Sequence, residues 1–144
     1  RKAIHDTLSQ RKDTWFPNII GPNVLLMGDI SLGEGNIICA GAILTTDIQI
    51  GGFNIINLSC TIGHDVKIAD FCTMAPMVSL SGYARLETGV ELGTKATVIP
   101  GRVIGEWSII GAGGVVISDI PAHSTAVGVP ARVIKQEAED GSDA

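Results

Sequence analysis

One histidine lies inside a regular pattern of aliphatic, small and polar residues, in the segment IGHDVKIADF over residues 62–71. His64 is followed at once by Asp65. An imidazole can remove a proton from a reacting group near neutral pH, and a neighbouring carboxylate can hold the ring tautomer and raise its basicity. The pair is therefore a candidate general base with its orienting acid. By position alone, two solvated polar residues on a turn are the simpler interpretation.

The elements that position His64 follow from an internal repeat. When the chain is stepped six residues at a time, every residue from Ile20 to Val116 is aliphatic or methionine, with no insertion. A small or β-branched residue often stands two positions earlier, and a glycine often follows. The seventeen positions of this series are Ile20, Leu26, Leu32, Ile38, Leu44, Ile50, Ile56, Ile62, Ile68, Met74, Leu80, Leu86, Leu92, Val98, Ile104, Ile110 and Val116.

A period of six predicts a short strand followed by a corner. The aliphatic residue and the small residue two before it face inward together, because side chains alternate along a strand. The glycine that follows is expected to supply the unusual backbone angles of the corner. Three such sides close a triangular coil of 18 residues. About six coils then stack as parallel strands, which predicts an all-β prism.

Stacking places residues 18 apart beside each other, so Gly82 is expected to lie directly above His64. A glycine N–H can be approached closely and can donate a hydrogen bond to a developing oxyanion. Acyl transfer needs such a donor, together with a base for the acceptor's proton. A general base contributes about 10²–10⁴-fold and one oxyanion donor about 10²–10³-fold. His64, Asp65 and Gly82 are therefore candidate catalytic residues.

The composition excludes several classes of function. A formal net charge of -5 argues against nucleic acid or an anionic membrane as the main partner. No apolar run is long enough to span a bilayer, and no signal peptide is evident. The three cysteines show no CxxC spacing, which predicts a reduced, cytoplasmic protein without a disulfide framework. Cys60 and Cys72 fall on inward positions and are predicted to be buried, whereas Asn54 is expected at a tight corner.

The sequence divides into three parts. Residues 1–18 lack the repeat, and a short amphipathic helix there is predicted to cap the first coil. Residues 19–121 are predicted to form the solenoid itself. Residues 122–144 form an irregular C-terminal extension, and its acidic tail is expected to be disordered.

Three segments resemble a known family: INLSCTIGHDVKIADF, IIGAGGVVISDIPA and GVPARVIK. With the repeat, they resemble the hexapeptide-repeat acyltransferases of the sialic-acid O-acetyltransferase, bacillosamine and perosamine N-acetyltransferase group, over roughly residues 17–135. The resemblance implies a left-handed parallel β-helix. It also implies acetyl-CoA as co-substrate and a sugar or nucleotide-sugar as acceptor, acetylated on an amino or hydroxyl group. Such relatives usually carry an N-terminal Rossmann-like domain that is absent here. The chain is therefore expected to be a fragment, with residues 1–18 as the remnant of that domain, or to use another acceptor.

The resemblance also assigns roles to residues. It implies that His64 is the general base, that Asp65 raises its basicity, and that the Gly82 amide holds the thioester carbonyl. It implies a homotrimer with acetyl-CoA in the groove between two prisms, and no metal. At the position of Thr73 some members carry a second histidine. The implied cofactor-binding residues are Thr73, Gly82, Thr94, Ala112, Gly128, Pro130, Ala131, Arg132 and Lys135.

Two other functions fit the same fold. A non-catalytic trimeric scaffold has no need of a His64–Asp65 pair beside a glycine. A zinc enzyme of the γ-carbonic-anhydrase kind needs three histidines around one site, and this repeat contains one. The acceptor, the acyl chain length, and transfer to nitrogen or to oxygen stay open at this point.

Overall fold

The computed structural model describes residues 1–11 and 13–137. In this part of the chain, one helix is followed by a parallel β-solenoid of about six coils. The helix is α1 (Lys2–Leu8). The strands are β1 (Ile19–Ile20), β2 (Leu25–Leu26), β3 (Ile30–Leu32), β4 (Ile37–Ile38), β5 (Ile43–Leu44), β6 (Ile48–Ile50), β7 (Ile55–Ile56), β8 (Thr61–Ile62), β9 (Lys67–Ile68), β10 (Thr73–Met74), β11 (Ser79–Leu80), β12 (Arg85–Leu86), β13 (Glu91–Leu92), β14 (Thr97–Val98), β15 (Val103–Ile104), β16 (Ile109–Ile110), β17 (Val115–Val116), β18 (Ser124–Val127) and β19 (Arg132–Gln136).

Every third strand pairs in parallel, so the strands form the three flat sides of a prism. Sheet A has the order β1-β4-β7-β10-β13-β16-β18-β19, sheet B has β2-β5-β8-β11-β14-β17, and sheet C has β3-β6-β9-β12-β15. The Cα partners from β1 to β17 are 18 residues apart, as for Thr61 and Ser79. The predicted fold of stacked parallel coils is therefore confirmed. No helix among residues 1–11 and 13–137 is long and apolar enough to cross a membrane.

The core consists of the predicted aliphatic series. From Ile38 onward, every member of the series is buried. The small residues two before them, such as Ala42, Cys60 and Val66, are also fully buried. Burying one aliphatic side chain of this size contributes about 1.5–3 kcal/mol, and the contribution repeats in every coil. The stacked aliphatic side chains therefore stabilise the coil shape without any aromatic residue among the buried core residues described.

The glycines after the aliphatic residues do not adopt the predicted unusual backbone angles. Positive φ occurs instead three residues after the aliphatic one, as at Asp65 (φ 59) and Tyr83 (φ 64), and eleven of the described residues with positive φ are not glycine. The glycines instead make room for the next coil. A Cβ on Gly33 would lie 2.6 Å from the backbone carbon of Gly51. The coils approach each other too closely at these positions for any side chain.

Helix α1 lies against a corner column rather than over the end of the solenoid. The Arg1 guanidinium donates to the Phe71 carbonyl oxygen at 2.9 Å. The His5 ring lies 4.4 Å from the Phe53 ring, centroid to centroid. The inward side chains of the first coil, Ile20 and Leu26, are 46% and 44% exposed. The first coil is therefore an open apolar end that the helix leaves uncovered.

The C-terminal region forms strands that the sequence analysis did not predict. Strand β18 continues sheet A in parallel on β16, and β19 returns antiparallel to β18. The side chains of Ala126 and Ala131 are buried there. The acidic tail predicted to be disordered lies, from residue 138 onward, outside the described residues.

Asn54 belongs to a buried ladder of side-chain amides, not to an exposed corner. The Asn36 amide group donates to the carbonyl oxygens of Gly33 at 3.0 Å and Gly51 at 2.9 Å, and its oxygen accepts from the Asn54 N–H at 3.0 Å. The Asn54 oxygen in turn accepts from the Cys72 N–H at 2.7 Å. The ladder satisfies backbone groups that the strands leave unpaired at this corner.

The prediction that Cys60 and Cys72 are buried is confirmed. Burial raises the pKa of the Cys72 thiol to about 12, and burial also raises the pKa of the Cys60 thiol. Both side chains are therefore packing residues that stay protonated at neutral pH.

We expect Asn36→Ala to lower the free energy of unfolding by about 1–3 kcal/mol, because it leaves buried carbonyl and N–H groups unpaired. Asn18→Ala is the matched control, since exposed Asn18 donates to and accepts from the same ladder at its open end. Its loss is expected to cost less than about 1 kcal/mol, because water replaces the bonds. Urea unfolding of the two variants measures the difference. Equal losses would contradict a structural role of the buried ladder.

Candidate active site

His64 lies at the corner between sheets B and C, directly after β8. Its ring lies over the glycine of the next coil: a Cβ on Gly82 would be 2.6 Å from the His64 Nε2 atom. Any larger residue at position 82 would occupy the space of the imidazole. The structure therefore brings His64 and Gly82 together, as the 18-residue spacing predicts.

Asp65 holds the other nitrogen of the ring. The His64 Nδ1 atom lies 2.9 Å from an Asp65 carboxylate oxygen. Asp65 has a φ of 59°, and its N–H donates to the Thr46 carbonyl oxygen at 3.1 Å, so the stacking fixes its backbone. The side chains of His64 and Asp65 are 54% and 40% exposed. The pair is thus oriented by the corner but open to a substrate.

Tyr83 is a site residue that the sequence analysis did not identify. Its ring meets the His64 ring edge to face, with centroids 5.1 Å apart and an interplanar angle of 89°. The Tyr83 N–H also donates to the His64 carbonyl oxygen at 2.9 Å. Because Tyr83 stands 18 residues after Asp65, the repeat itself was the signal that could have identified it. The imidazole is therefore held between a carboxylate and an aromatic ring.

The Gly82 N–H makes no hydrogen bond to another group within residues 1–11 and 13–137. Gly63 leaves the space next to this amide, because a Cβ on Gly63 would lie only 2.7 Å from the Gly82 nitrogen, and Gly82 itself is buried beneath the His64 ring. Because Gly63 matches the repeated glycine positions, its type and spacing contain no signal that it also borders a site. An unpaired N–H beside an oriented imidazole is the arrangement that acyl transfer uses.

The residues predicted to bind the cofactor lie elsewhere on the same chain. Thr94 and Ala112 follow β13 and β16, at the corner between sheets A and B. Thr73 lies on sheet A, where its hydroxyl accepts a hydrogen bond from the Arg1 guanidinium. A single chain therefore does not bring these three residues to the His64 corner.

The remaining predicted cofactor residues lie in the β18–β19 hairpin. Gly128 and Pro130 form its turn, and the Ala131 N–H donates to the Val115 carbonyl oxygen at 2.8 Å. Arg132 and Lys135 lie on β19 with exposed side chains, and the Lys135 ammonium lies 2.6 Å from Glu137. In the described part of the chain, no group of three or more His, Cys, Asp or Glu residues is arranged to hold a metal ion.

Comparison with known proteins finds relatives of the class that the sequence resembles. No family model matches the chain. A 2,3,4,5-tetrahydropyridine-2,6-dicarboxylate N-acetyltransferase of Enterococcus faecalis is 47% identical over 51 residues, which are 35% of this chain and 22% of that protein. The chain matches the crystal structure of PerB from Caulobacter crescentus, in complex with CoA and GDP-perosamine, with a TM-score of 0.88 and 32% identity. That match covers 93% of this chain and 64% of PerB.

The acetyltransferase domain of PglB from Neisseria gonorrhoeae matches with a TM-score of 0.88 and 26% identity, over 93% of this chain and 65% of that one. The predicted resemblance to hexapeptide-repeat sugar acetyltransferases is confirmed. The chain spans less than two thirds of each of these relatives, and under a quarter of the Enterococcus protein. The matches to PerB and to the PglB domain each cover 93% of this chain, so they extend over most of the β-solenoid.

We expect Gly82→Ala to push the His64 ring out of its position. Gly82 does not have a positive φ, so its backbone accepts alanine, but the new methyl group would occupy the space of the imidazole. The nuclear Overhauser contact between the His64 and Tyr83 rings should disappear, while the melting temperature changes little. Ser81→Ala at the same corner is the control and should keep the contact. An unchanged ring contact in Gly82→Ala would show that the geometry of the site is different.

Proposed function

We propose that the protein is an acetyl-CoA-dependent acyltransferase that moves an acetyl group to an amino or hydroxyl group of a sugar or nucleotide-sugar. The observation that carries the proposal is the imidazole of His64, held by Asp65 and lying beside the unpaired Gly82 N–H. Relatives of the same fold support it, since PerB is described with CoA and GDP-perosamine bound. Acetyl-CoA is the co-substrate, and no metal takes part in the proposed chemistry.

His64 acts as the general base in this proposal. With Nδ1–H donated to Asp65, the lone pair of Nε2 is free to accept the proton of the acceptor's amine or hydroxyl group. The nucleophile attacks the thioester carbonyl directly as it loses that proton. Asp65 then stabilises the imidazolium that forms. No residue of the chain becomes acetylated, so the site needs no nucleophile of its own.

The Gly82 amide takes the negative charge of the tetrahedral intermediate. The carbonyl oxygen gains charge as the nucleophile adds, and the N–H donates to it most strongly at that moment. When the intermediate collapses, the C–S bond breaks and the thiolate of CoA leaves. The imidazolium can return its proton to that sulfur, which restores the neutral base for the next turnover.

A homotrimer joins the two separate groups of site residues. Sheet B is bounded on one side by the His64 corner and on the other by the corner of Thr94 and Ala112. If the sheet B sides of three chains face a common axis, the His64 corner of each chain meets the Thr94–Ala112 corner of the next. The site is then shared between two chains.

Sheet B has the composition that such packing requires. Its outward positions carry no charged side chain, whereas sheet A carries Glu91 and sheet C carries Lys67 and Arg85. Burying an unpaired charge in an interface costs free energy, so an uncharged side is the favourable one. The outward residues of sheet B are Leu25, Ile43, Thr61, Ser79, Thr97 and Val115.

Acetyl-CoA lies along the Thr94–Ala112 corner of the neighbouring chain in this arrangement, with its thioester at His64. Thr73 and the hairpin residues Gly128, Pro130 and Ala131 border the remainder of its groove. Arg132 and Lys135 are exposed cations that can pair with its phosphates. The three free cysteines agree with a reducing compartment, so we place the reaction in the cytoplasm.

We expect His64→Ala to lower kcat by roughly 10²–10⁴-fold, because the general base is lost. The fold and the affinity for acetyl-CoA should be preserved, since the side chain is half exposed and contributes little to the core. Steady-state transfer to a panel of amino-sugar nucleotides and sialic acid, with thiol release as the signal, measures turnover. Titration calorimetry measures acetyl-CoA binding.

Asp65→Ala should lower turnover less than His64→Ala, because it only removes the group that orients the ring. His123→Ala is the matched control, since His123 is also partly exposed and paired with a carboxylate, that of Glu106. Its turnover should equal that of the parent. Near-parental turnover in His64→Ala would place the base elsewhere, and no binding of acetyl-CoA at millimolar concentration would remove the cofactor from the proposal.

We expect Ser79→Arg, on sheet B, to dissociate the trimer, because it places an unpaired cation in the proposed interface. Gln49→Arg puts the same charge on sheet C and should leave the assembly unchanged. Sedimentation velocity at micromolar concentration distinguishes the two variants. A monomeric parent protein, or a trimer that tolerates arginine at position 79, would contradict this arrangement.

A further inference from the structure

Two cations lie side by side on the outer face of sheet C, next to the His64 corner. Lys67 in β9 and Arg85 in β12 are Cα partners in register, and both side chains are exposed. Neither lies within ion-pair distance of a carboxylate in the described part of the chain. By contrast, Lys2, Arg102 and Lys135 each have an acidic partner.

This pairing has an energetic cost. Like charges directly opposite each other on neighbouring strands are destabilising. The chain as a whole carries a net charge of -5, so its sequence contains more than enough carboxylates to neutralise Lys67 and Arg85. An anion placed between the ammonium and the guanidinium would remove the repulsion and would accept charge-assisted hydrogen bonds from both.

The two cations and the catalytic corner share one depression. The depression is open, has a volume of about 780 Å³, and is lined by Lys67 and Arg85 as well as by Asp65 and Tyr83. Tyr83, which forms one wall of this depression, also contacts the His64 ring. A molecule lying in the depression therefore contacts the cations and, at the corner, Asp65 and Tyr83, which both contact the His64 ring.

The separation suits one substrate molecule. Lys67 stands three residues after His64, and Arg85 stands three residues after Gly82. Three fully extended residues span at most about 11 Å, and residues 64 and 65 form a turn, so the backbone positions of the cations lie within that distance of the reacting corner. A sugar ring that carries a phosphate or a carboxylate spans such a distance, with its amine or hydroxyl group at the corner.

The other charged groups of the depression direct an anion to the same place. Asp29, Asp47 and Asp65 stack along the corner column on the side of the first coils, and they repel an anion from there. Glu87 lines the adjoining groove beyond Arg85. The favourable position for a negative group is therefore between Lys67 and Arg85, above the carboxylates and away from Glu87.

We propose that Lys67 and Arg85 form an anion subsite that holds a phosphate or carboxylate group of the acceptor while its nucleophile lies at His64. The proposal rests on the proposed function and names its acceptor class as a negatively charged sugar derivative. Tyr83 forms the wall between the two ends of the acceptor. The subsite determines specificity and takes no part in the chemical step.

The binding test needs no acetyl-CoA. Inorganic phosphate and malonate are titrated separately, at low ionic strength, into the parent protein and into the double variant Lys67→Gln/Arg85→Gln, with amide chemical shifts as the signal. We expect shifts at sheet C and a loss of affinity of roughly tenfold or more in the double variant, because hydrogen bonds to two charged donors are lost. The control Lys2→Gln/Arg11→Gln makes the same change in net charge and should bind as the parent does. Equal affinity in both double variants would overturn the subsite.

The kinetic test distinguishes the source of the anion. Acceptors are an amino sugar linked to UDP, an amino sugar 1-phosphate, an amino sugar bearing a carboxylate, and an uncharged amino sugar. The double variant should raise KM for the charged acceptor by roughly tenfold or more. Its kcat and its KM for acetyl-CoA should stay those of the parent. The charged acceptor whose KM rises most in the double variant shows whether the subsite holds a phosphate or a carboxylate.

The two proposals fail in different ways. Suppose that acetyl-CoA binds and that His64→Ala lowers turnover, but that the double variant changes KM equally for charged and uncharged acceptors. In that case only the anion subsite is wrong. If acetyl-CoA does not bind, the proposed function fails, and the titration with phosphate and malonate still decides the subsite.

Discussion

The structure depends on the close stacking of one coil on the next in a register of 18 residues. Parallel strand pairing and buried aliphatic side chains act together here, because each coil buries its inward residues against those of its neighbours. The approach is so close that a Cβ on Gly63 would lie 2.7 Å from the Gly82 nitrogen of the next coil. Each residue thus has fixed neighbours, 18 positions before and after it. The site is a consequence of this register, since it places an imidazole over an unpaired N–H.

The same register keeps functional groups out of the interior. Inward positions are filled with aliphatic side chains, so functional groups lie at the corners, as His64 does, or point outward from the flat sides, as Lys67 and Arg85 do. One chain offers three corner columns, and the two that carry the proposed base and the proposed cofactor contacts are on opposite edges of sheet B. Assembly of several chains is therefore part of the chemistry that we propose. Charge on sheets A and C, and none on sheet B, agrees with that division of roles.

Much of this could be predicted from the sequence, because a strict period of six determines both the inward residues and the neighbours of every corner. His64 beside Gly82 follows from that period alone. Three features did not follow from it. The position of α1 depends on the contacts of Arg1 and His5 with an aromatic corner column, which spacing does not describe. The hairpin at Gly128 breaks the period, and the buried Asn36–Asn54 ladder replaces an apolar residue with a polar one that satisfies backbone groups.

The central claim is that the base and the cofactor contacts of one site come from two chains, and subunit mixing tests it most directly. His64→Ala removes the base, and Ala112→Trp fills the exposed cofactor corner with a large ring. Each variant alone should be almost inactive. Trimers assembled from equal amounts of both variants should regain activity, in roughly a quarter of their sites, because an intact His64 then meets an intact Ala112 across one interface of each mixed trimer. Mixed trimers that stay as inactive as the separate variants would contradict a shared site.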